Sequence, residues 1–386
     1  QNKSFAQGYQ REGNTLNPIT FTTINGSPSG DFCSNAKDMA TYLQFMLRRD
    51  TILFSKDEFN RIETPKTSLA AKNGLQFGYG LGNYTIWKNG FLFHGHGGEI
   101  DGFASRYVYS PEADLGVAIA INRNGNANAI VDEILNYLLG NDSSKERKTY
   151  PIPESLKSKF SGFYEFKSPK NQLLSFSDEL FGGFIVEFQK DILIRKRIFG
   201  RPKDTLYYAG NNQFYFGKES IPSAMFIESD TKKFAFWIND SYTEKESRTR
   251  RLIIIFGLLF SFIFMALFFI YSLIWLIKNS FSKNRKKPTN HLILFGAVGS
   301  FLLMFIGFGL TLSNPESAMN IKFSSLLMFI SSYALVLFSA MSIYRWFKLP
   351  SVKSFKLFYI LTSIGAIAIT IYLWDIGFIG LKLWSY

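Results

Sequence analysis

One ten-residue segment of the sequence, His94-Gly95-His96-Gly97-Gly98-Glu99-Ile100-Asp101-Gly102-Phe103, holds residue types that can do chemistry. If the segment is a strand, His94 and His96 point to the same face, because strand side chains alternate. Two imidazoles so placed could bind a metal ion, but the third histidine lies in a distant apolar region, so Glu99 or Asp101 would have to complete the site. The glycines could also mark a bulge or a tight turn without any catalysis.

The segment belongs to an ordered series of motifs. The series comprises Pro28-Ser29-Gly30-Asp31-Phe32-Cys33-Ser34 running into Asp38, Gly78-Tyr79-Gly80-Leu81-Gly82, Gly95-His96-Gly97-Gly98 with Gly102-Phe103, Ser110-Pro111-Glu112, and Gly116-Val117 leading to Asn122. In this order it resembles the serine β-lactamase-related hydrolases, which include class C β-lactamases, penicillin-binding DD-peptidases and related esterases. The resemblance covers about residues 1–140 and implies the C-terminal part of that hydrolase domain.

The resemblance implies a catalytic role for His96. In such enzymes the third catalytic motif lies on an edge strand beside the nucleophile, and it begins with Lys or, in many relatives, His. Gly97 and Gly98 would let an acyl substrate approach the strand backbone, and the N–H of Glu99 would be the second donor of an oxyanion hole. His96 would assist proton movement or bind a substrate carboxylate. Neither a cofactor nor a resident metal is implied.

The chain departs from the family pattern in one respect. The family's nucleophile stands in Ser-x-x-Lys and its second motif is Tyr-x-Asn, both N-terminal to the matched segment. No Tyr-x-Asn precedes His96, and Ser-x-x-Lys occurs only at Ser34/Lys37, Ser229/Lys232 and Ser280/Lys283. We interpret Ser34 as a helix N-cap, Ser229 as part of a β turn and Ser280 as part of a loop. We therefore expect that the sequence begins within the domain and that this chain alone is inactive.

Two functions fit these observations. The first is a membrane-anchored serine hydrolase that acts outside the cell on peptidoglycan peptides, β-lactams, or small esters and amides. The second is a catalytically silent relative that serves as an envelope sensor or interaction module. The intact His96-Gly97-Gly98 motif favours the enzyme, because such backbone features cost stability unless they are used.

The first 140 residues are predicted to form an α+β structure. A helix is expected from the Ser34 N-cap to about Arg49, a second begins at Ser55, and a third covers Asn128–Leu139. Strand-like runs lie between them: Tyr79–Trp87, Phe91–His96, Ala104–Ser110 and Gly116–Asn122. Consecutive strands flanked by helices predict an antiparallel sheet with helices on its faces.

A polar linker (141–153) is predicted to lead into a small antiparallel β domain (154–243). Eight short runs between turn residues indicate a barrel or sandwich. These runs are Gly162–Phe166, Leu173–Phe176, Gly183–Phe188, Ile192–Arg197, Thr205–Ala209, Gln213–Gly217, Ala224–Glu228 and Phe234–Ile238. Its aromatic stripe, interpreted as core, comprises Phe184, Phe188, Tyr207, Phe214, Phe216, Phe234 and Phe236.

The last third of the sequence is predicted to be an all-α membrane domain (252–386). Leu252–Ile277 is 26 residues long without a charge, more than the about 20 residues that cross a bilayer. Three further spans are expected at 291–312, 323–343 and 357–378. The second is rich in Gly, at positions 296, 299, 307 and 309, which suits close helix packing in lipid.

The charge distribution predicts the orientation of these spans. Residues 1–244 carry 28 Lys/Arg and 27 Asp/Glu, whereas residues 245–386 carry 15 and 3. The loops 278–290 and 344–356 hold five and four basic residues, while 313–322 holds one base and one acid. By the positive-inside rule we expect a multi-pass protein of the bacterial cytoplasmic membrane, with both the N-terminal domains and the C-terminus outside. The same bias accounts for the basic charge without a nucleic-acid partner.

Overall fold

The computed structural model describes residues 5–21, 30, 32–140, 146–169, 172–198, 203–229, 233–238, 241–313, 321–349 and 353–383. The chain divides into two compact units, Gln1–Glu246 and Ser247–Tyr386. The first unit contains both β structures and the second contains four long apolar helices. The predicted α+β portion, β domain and helical membrane portion are therefore all present.

The first unit begins with a hairpin of β1 (Gly8–Glu12) and β2 (Thr15–Ile19), which is followed by two capped helices. Helix α1 (Ala36–Arg48) begins at Asn35, not at Ser34 as predicted, because the Asn35 carboxamide oxygen accepts from two backbone N–H groups of the first turn. Helix α2 (Lys56–Glu63) begins at Ser55, as predicted, with a full capping box. Of the predicted motif from Pro28 to Ser34, residues 28, 29 and 31 lie outside the described residues.

A four-stranded antiparallel sheet follows in the order β3-β4-β5-β6. Its strands are Tyr84–Lys88 (β3), Phe91–Ile100 (β4), Phe103–Ser110 (β5) and Leu115–Ile121 (β6). The predicted strand Tyr79–Trp87 begins too early, because residues 79–83 form a loop in which Gly80 N donates to Asn83 O at 2.8 Å. Asn89 and Gly90, both with positive φ, join β3 to β4 in the two-residue turn that such residues favour.

Helices cover both faces of this sheet. Helix α4 (Ala127–Leu139) buries Val131 and Leu135 against Phe93 and Val108. Helices α1 and α2 pack on the opposite face, where Met46 and Phe59 contact Tyr109. Each helix presents one apolar stripe to the sheet, so the strands are held between two layers.

The predicted β domain is a closed eight-stranded barrel, β7 to β14, in which neighbours along the chain pair and β14 closes on β7. Its strands are Gly162–Phe166 (β7), Phe184–Gln189 (β8), Ile192–Arg197 (β9), Asp204–Gly210 (β10), Gln213–Phe216 (β11), Ala224–Glu228 (β12), Phe234–Ile238 (β13) and Ser241–Glu246 (β14). Helix α5 (Glu154–Phe160) precedes it.

One strand prediction for the barrel was wrong, and one strand of the barrel was not predicted. Leu173–Phe176 is a 3₁₀ turn (Gln172–Leu174) running into α6 (Ser175–Phe181), because four apolar-rich residues satisfy either period. Strand β14 was missed because its sequence is polar. Its core-facing residue is Thr243, which is fully buried and donates to Phe236 O at 2.7 Å.

Aromatic side chains fill the barrel. Phe214, Phe226 and Phe236 are fully buried, and the rings of Phe226 and Phe236 stack with centroids 4.3 Å apart. Of the predicted aromatic stripe, Tyr207 alone lies outside this core cluster, with the Arg147 guanidinium 4.2 Å from its ring centroid. Residues 146–153 of the predicted linker thus lie against the barrel, and the rest of it (141–145) falls outside the described residues.

The barrel and the sheet meet through a small apolar contact. Met225 and Ile227 of β12 pack against Ala70 of α3 (Leu69–Lys72) and against Leu75 and Phe77. Because the contact uses the outer surface of the barrel, it leaves the filled interior undisturbed.

The second unit consists of α7 (Arg248–Ser280), α8 (Thr289–Ser313), α9 (Phe323–Arg345) and α10 (Lys353–Asp375). All four are long and apolar enough to cross a membrane, as predicted. The last span was expected to reach Phe378, but α10 ends at Asp375. Gly377, with φ 75°, permits the backbone bond from Phe378 N to Leu373 O that closes the helix.

Glycines allow close packing inside this unit. A Cβ at Gly307 of α8 would lie 2.8 Å from the Ser324 carbonyl oxygen of α9, and one at Gly296 would meet the Phe338 ring at 2.8 Å. Gly299 and Gly309 have no such neighbour. Two of the four predicted packing glycines therefore lie at a helix–helix contact.

Candidate active site

Strand β4 changes from an internal to an edge strand at His96. Residues Phe91–Gly95 pair with β3, and His94–Ile100 pair with β5, so β3 ends opposite Gly95. The expectation of a simple edge strand is corrected accordingly: only residues 96–100 have β5 on one side and no partner strand among the described residues on the other.

The register identifies the backbone groups that face this open edge. Ile100 and Phe103 flank the two-residue turn and form its closing pair, and paired residues alternate between hydrogen-bonded and non-bonded positions. The residues bonded to β5 are then Ile100, Gly98 and His96. The N–H groups of Gly97 and Glu99 consequently point away from β5, toward the open edge.

The His96 ring lies at the same edge. Its Nδ1 is 2.5 Å from the Gly97 carbonyl oxygen, and the ring stacks on Tyr84, with centroids 4.8 Å apart. Tyr79 approaches the same ring edge-on at 5.9 Å. His96 is half-buried between two tyrosines, one from β3 and one from the loop before it.

The glycines around His96 differ in the space they leave. A Cβ at Gly95 would lie 2.1 Å from the Tyr107 carbonyl oxygen, so this glycine is required by the packing of β4 on β5. A Cβ at Gly97 would meet nothing closer than 3.5 Å, and one at Gly98 would meet only the Ser105 hydroxyl at 2.7 Å. Packing therefore explains Gly95, but it does not explain Gly97.

A network of hydroxyl groups lies behind His96, and sequence reasoning missed it. Tyr107, opposite His96 on β5, donates its hydroxyl to the Asn83 carboxamide oxygen at 2.9 Å. Its ring packs edge-on against Tyr42 of α1 at 5.5 Å. Burial raises the pKa of both phenols, so they stay neutral. No local pattern could reveal this network, because its members come from a helix, a loop and a strand.

His94 is placed differently from His96. It is 7% exposed, and its ring lies 5.7 Å from that of Tyr109, beneath α2. Burial lowers its pKa, against the attraction of Glu63. Within the ranges that the structure describes, no three His, Cys, Asp or Glu side chains are grouped to hold a metal ion. Glu99 is exposed.

Ser34 was interpreted as the N-cap of α1 and hence not as a nucleophile, but the N-cap is Asn35. Ser34 is exposed, and its hydroxyl donates to the Asn35 carbonyl oxygen at 3.5 Å. Ser229, one residue after β12, accepts from Lys233 N at 3.1 Å, and Ser280 caps the end of α7 by donating to Ile277 O at 2.7 Å. What remains against Ser34 is its order in the chain relative to the matched motifs.

The sequence model of the Beta-lactamase family matches residues 2–140. These residues belong to the serine β-lactamase-related family. The match ends one residue after α4, so it covers the hairpin, the four-stranded sheet and its helices, and leaves out the barrel and the four apolar helices. No curated protein matches the chain at a significant level.

Several solved structures are similar at low identity. The octameric penicillin-binding protein homologue from Pyrococcus abyssi is 23% identical, with 62% of this chain and 53% of that chain covered and a TM-score of 0.31. SurE is 16% identical, with 62% and 55% covered and a TM-score of 0.33. SurE with D-Leu is 18% identical, with 54% and 46% covered and a TM-score of 0.28. The chain spans about half the length of these structures.

Proposed function

We propose that the protein is a membrane-anchored serine hydrolase in which the open edge of β4 binds the acyl group of the substrate. The substrate classes are peptidoglycan peptides, β-lactams, and small esters or amides. His96 is the proton-transfer or carboxylate-binding residue, and the N–H groups at the open edge stabilise the oxyanion. The catalytic serine is not assigned to any residue of this chain.

The observation that carries this proposal is the end of β3 opposite Gly95. It leaves two main-chain N–H groups, those of Gly97 and Glu99, pointing to one side next to an imidazole. Donors that are fixed in place before the reaction stabilise a developing negative charge by about 3–4 kcal/mol each. Gly97 would allow an acyl group to lie against this backbone, and its packing gives no other reason for a glycine.

His96 suits acyl transfer in position and in chemistry. Formation of an acyl-enzyme requires that a serine hydroxyl lose a proton, that its oxygen bond to the acyl carbon, and that the leaving group gain a proton. The half-buried His96 imidazole lies at the edge, where a ring nitrogen can accept this proton and pass it to the leaving group. Its ring now contacts Gly97 O, so an acyl group that binds along the edge requires a rotation of the His96 side chain.

We also propose that the first unit lies outside the cytoplasmic membrane. The segments 278–290 and 344–356, between α7 and α8 and between α9 and α10, hold five and four basic residues, against one in 313–322, which favours the cytoplasmic side for both. The chain's single cysteine, Cys33, is exposed in the first unit. It should react with an impermeant thiol reagent in intact cells.

A cysteine introduced at Asn284, in a Cys33→Ser background, should be protected until the cells are opened. Further probes at Asn314, Ser351 and Ser385 fall outside the described residues; the first and last should be labelled and Ser351 protected. Protection of Cys33 together with labelling at Asn284 would mean that the protein has the opposite orientation in the membrane, and it would exclude an extracytoplasmic hydrolase.

The activity is tested with the protein expressed from its native reading frame, including any sequence that precedes Gln1. It should hydrolyse at least one of a chromogenic cephalosporin, a D-Ala-D-Ala peptide and a nitrophenyl ester. No turnover of any of them by folded, membrane-inserted protein would favour the silent relative that acts as an envelope sensor or interaction module.

A further inference from the structure

A buried polar cluster lies on the face of the sheet that α2 covers, next to the candidate site. It consists of Glu63 at the end of α2, His94 of β4 and Tyr109 of β5, which are 6%, 7% and 0% exposed, with Arg49 at their edge. Arg49 Nη2 donates to Glu63 Oε2 at 2.6 Å. One partner thus holds the carboxylate inside the protein.

Three atoms of this cluster are buried without a hydrogen-bond partner: Glu63 Oε1, His94 Nδ1 and the Tyr109 hydroxyl. Leaving such groups unpaired costs about 1–3 kcal/mol each, so native proteins rarely tolerate it. Their chemistry is complementary, because a carboxylate oxygen accepts two bonds and a phenol and an imidazole N–H can each donate one. A small side-chain shift or one bridging water would join them.

We propose that Glu63 is a positioning residue that acts through His94 to hold the strand segment His96–Gly98 in place. Glu63 accepts from His94 Nδ1 and from the Tyr109 hydroxyl, which fixes the tautomer and orientation of His94 two residues before His96. Only the catalytic consequence of this arrangement rests on the proposed hydrolase function.

The end of α2 also holds in place the loop 78–83, which packs on the His96 ring. The Ile62 carbonyl oxygen accepts from Leu81 N at 3.0 Å, and a Cβ at Gly80 would lie 2.2 Å from that oxygen, so the loop 78–83 is packed tightly on the helix. This loop carries Tyr79, which contacts the His96 ring, and Asn83, which receives the Tyr107 hydroxyl. One helix turn therefore anchors both the strand and the loop that flank His96.

The charges around His94 make the proposal testable. Glu63 and Arg49 are the charged groups near it and act in opposite directions: burial lowers the pKa of His94, Glu63 raises it and Arg49 lowers it. The phenols of Tyr109, Tyr107 and Tyr42 remain neutral, because burial raises their pKa values. Removal of the carboxylate and removal of the guanidinium should thus shift the titration of His94 in opposite directions.

The experiment is NMR of the full chain in nanodiscs with ¹³C-labelled histidine. The chain has only three histidines, so single His→Gln variants assign all the signals. Glu63→Gln should lower the His94 midpoint by about one pH unit or more, and Arg49→Gln should raise it. Asp57→Asn, an exposed acid on the same helix, is the matched control and should change nothing. Tyr109→Phe removes the competing phenol donor, so that the Glu63 carboxylate bonds to His94 alone and the His94 midpoint should rise.

The second readout is the His96 ring, whose signals should be shifted upfield by the ring of Tyr84 stacked on it. In Glu63→Gln this shift should shrink or the signals should split, and in Asp57→Asn they should not. If the cluster were merely structural, loosening it would move the His94 midpoint upward in Glu63→Gln and Arg49→Gln alike, which would overturn the proposal. Unchanged His96 signals in a Glu63→Gln variant with a lowered His94 midpoint would overturn it too. Since neither readout involves turnover, the inference can stand or fall independently of the hydrolase proposal.

Discussion

The four-stranded sheet and the barrel of the first unit differ in how far their strand edges are paired. The barrel pairs every strand on both sides and fills its interior with phenylalanine and tyrosine rings. The sheet leaves residues 96–100 of β4 with no partner strand among the described residues on one side, and three polar atoms of the face covered by α2 are buried without a hydrogen-bond partner. Buried polar groups occur in both regions, since the barrel buries Arg195 and Thr243. The open strand edge is what sets the sheet apart from the closed barrel, and because unpaired edges cost stability, it supports the binding role proposed for this edge.

The largest expected effect separates the two histidines of the sheet. In the catalytically competent protein His96→Ala should lower turnover by about 10²–10⁴, the range for losing a positioned proton-transfer group. His94→Ala should lower it much less, since His94 does not reach the open edge. Steady-state kinetics of both variants checks this. Equal losses would favour a metal-binding or structural role for the pair.

The barrel should respond in stability and not in chemistry. Phe226 is fully buried between Phe160 and Phe236, at 4.4 and 4.3 Å between ring centroids. Phe226→Ala should cost about 3–5 kcal/mol of unfolding free energy, measured by denaturant titration. The exposed Phe181 provides the control, and Phe181→Ala should cost little. A nearly neutral Phe226→Ala would mean that the barrel interior is not a packed core.

Two glycines of β4 distinguish packing from function. Gly95→Ala places a methyl group against the Tyr107 carbonyl oxygen and should destabilise the protein by about 1–3 kcal/mol. Gly97→Ala has room, so its stability should change by no more than about 0.5 kcal/mol, while turnover falls because the open edge is obstructed. Full activity in Gly97→Ala would argue that no substrate lies along this edge.

The last prediction concerns Glu219, in the loop between β11 and β12 of the barrel, next to Ser220, which accepts from Trp87 Nε1 of the sheet at 3.0 Å. Burial raises the pKa of Glu219 to about 7, although the Ser223 hydroxyl donates to it. Because folding raises the pKa of this carboxyl, the folded state binds its proton more tightly than the unfolded state does. The free energy of unfolding therefore falls as the pH rises from 4.5 to about 7. Glu219→Gln should remove this loss and stabilise the protein at pH 8 by about 1–3 kcal/mol.

The matched control for this loop is Glu133→Gln, which replaces an exposed acid on α4. Thermal unfolding across pH 4 to pH 8 compares the two variants with the parent protein. A pH profile that Glu219→Gln leaves unchanged would contradict the raised pKa.

Sequence reasoning worked where a local pattern fixes the structure. The helix start at Ser55 and the four long apolar runs were each predicted from neighbouring residues, and the structure has them. It failed where distant pairing decides, as in β14, whose polar sequence becomes a strand only because β7 and β13 flank it. For the same reason it selected His96 as a candidate but missed Tyr107 and Asn83, which bond to each other opposite His96. It also missed Glu63, which lies near His94.

The most direct test of the central claim is mass spectrometry of a covalent adduct. The protein from its native reading frame is incubated with a penicillin that carries a mass tag, digested, and searched for an acylated serine. We expect one acylated serine, slower acylation in His96→Ala, and no adduct on residues 1–386 expressed alone. An adduct on a serine of these residues, Ser34 included, or acylation unaffected by His96→Ala, would contradict this expectation.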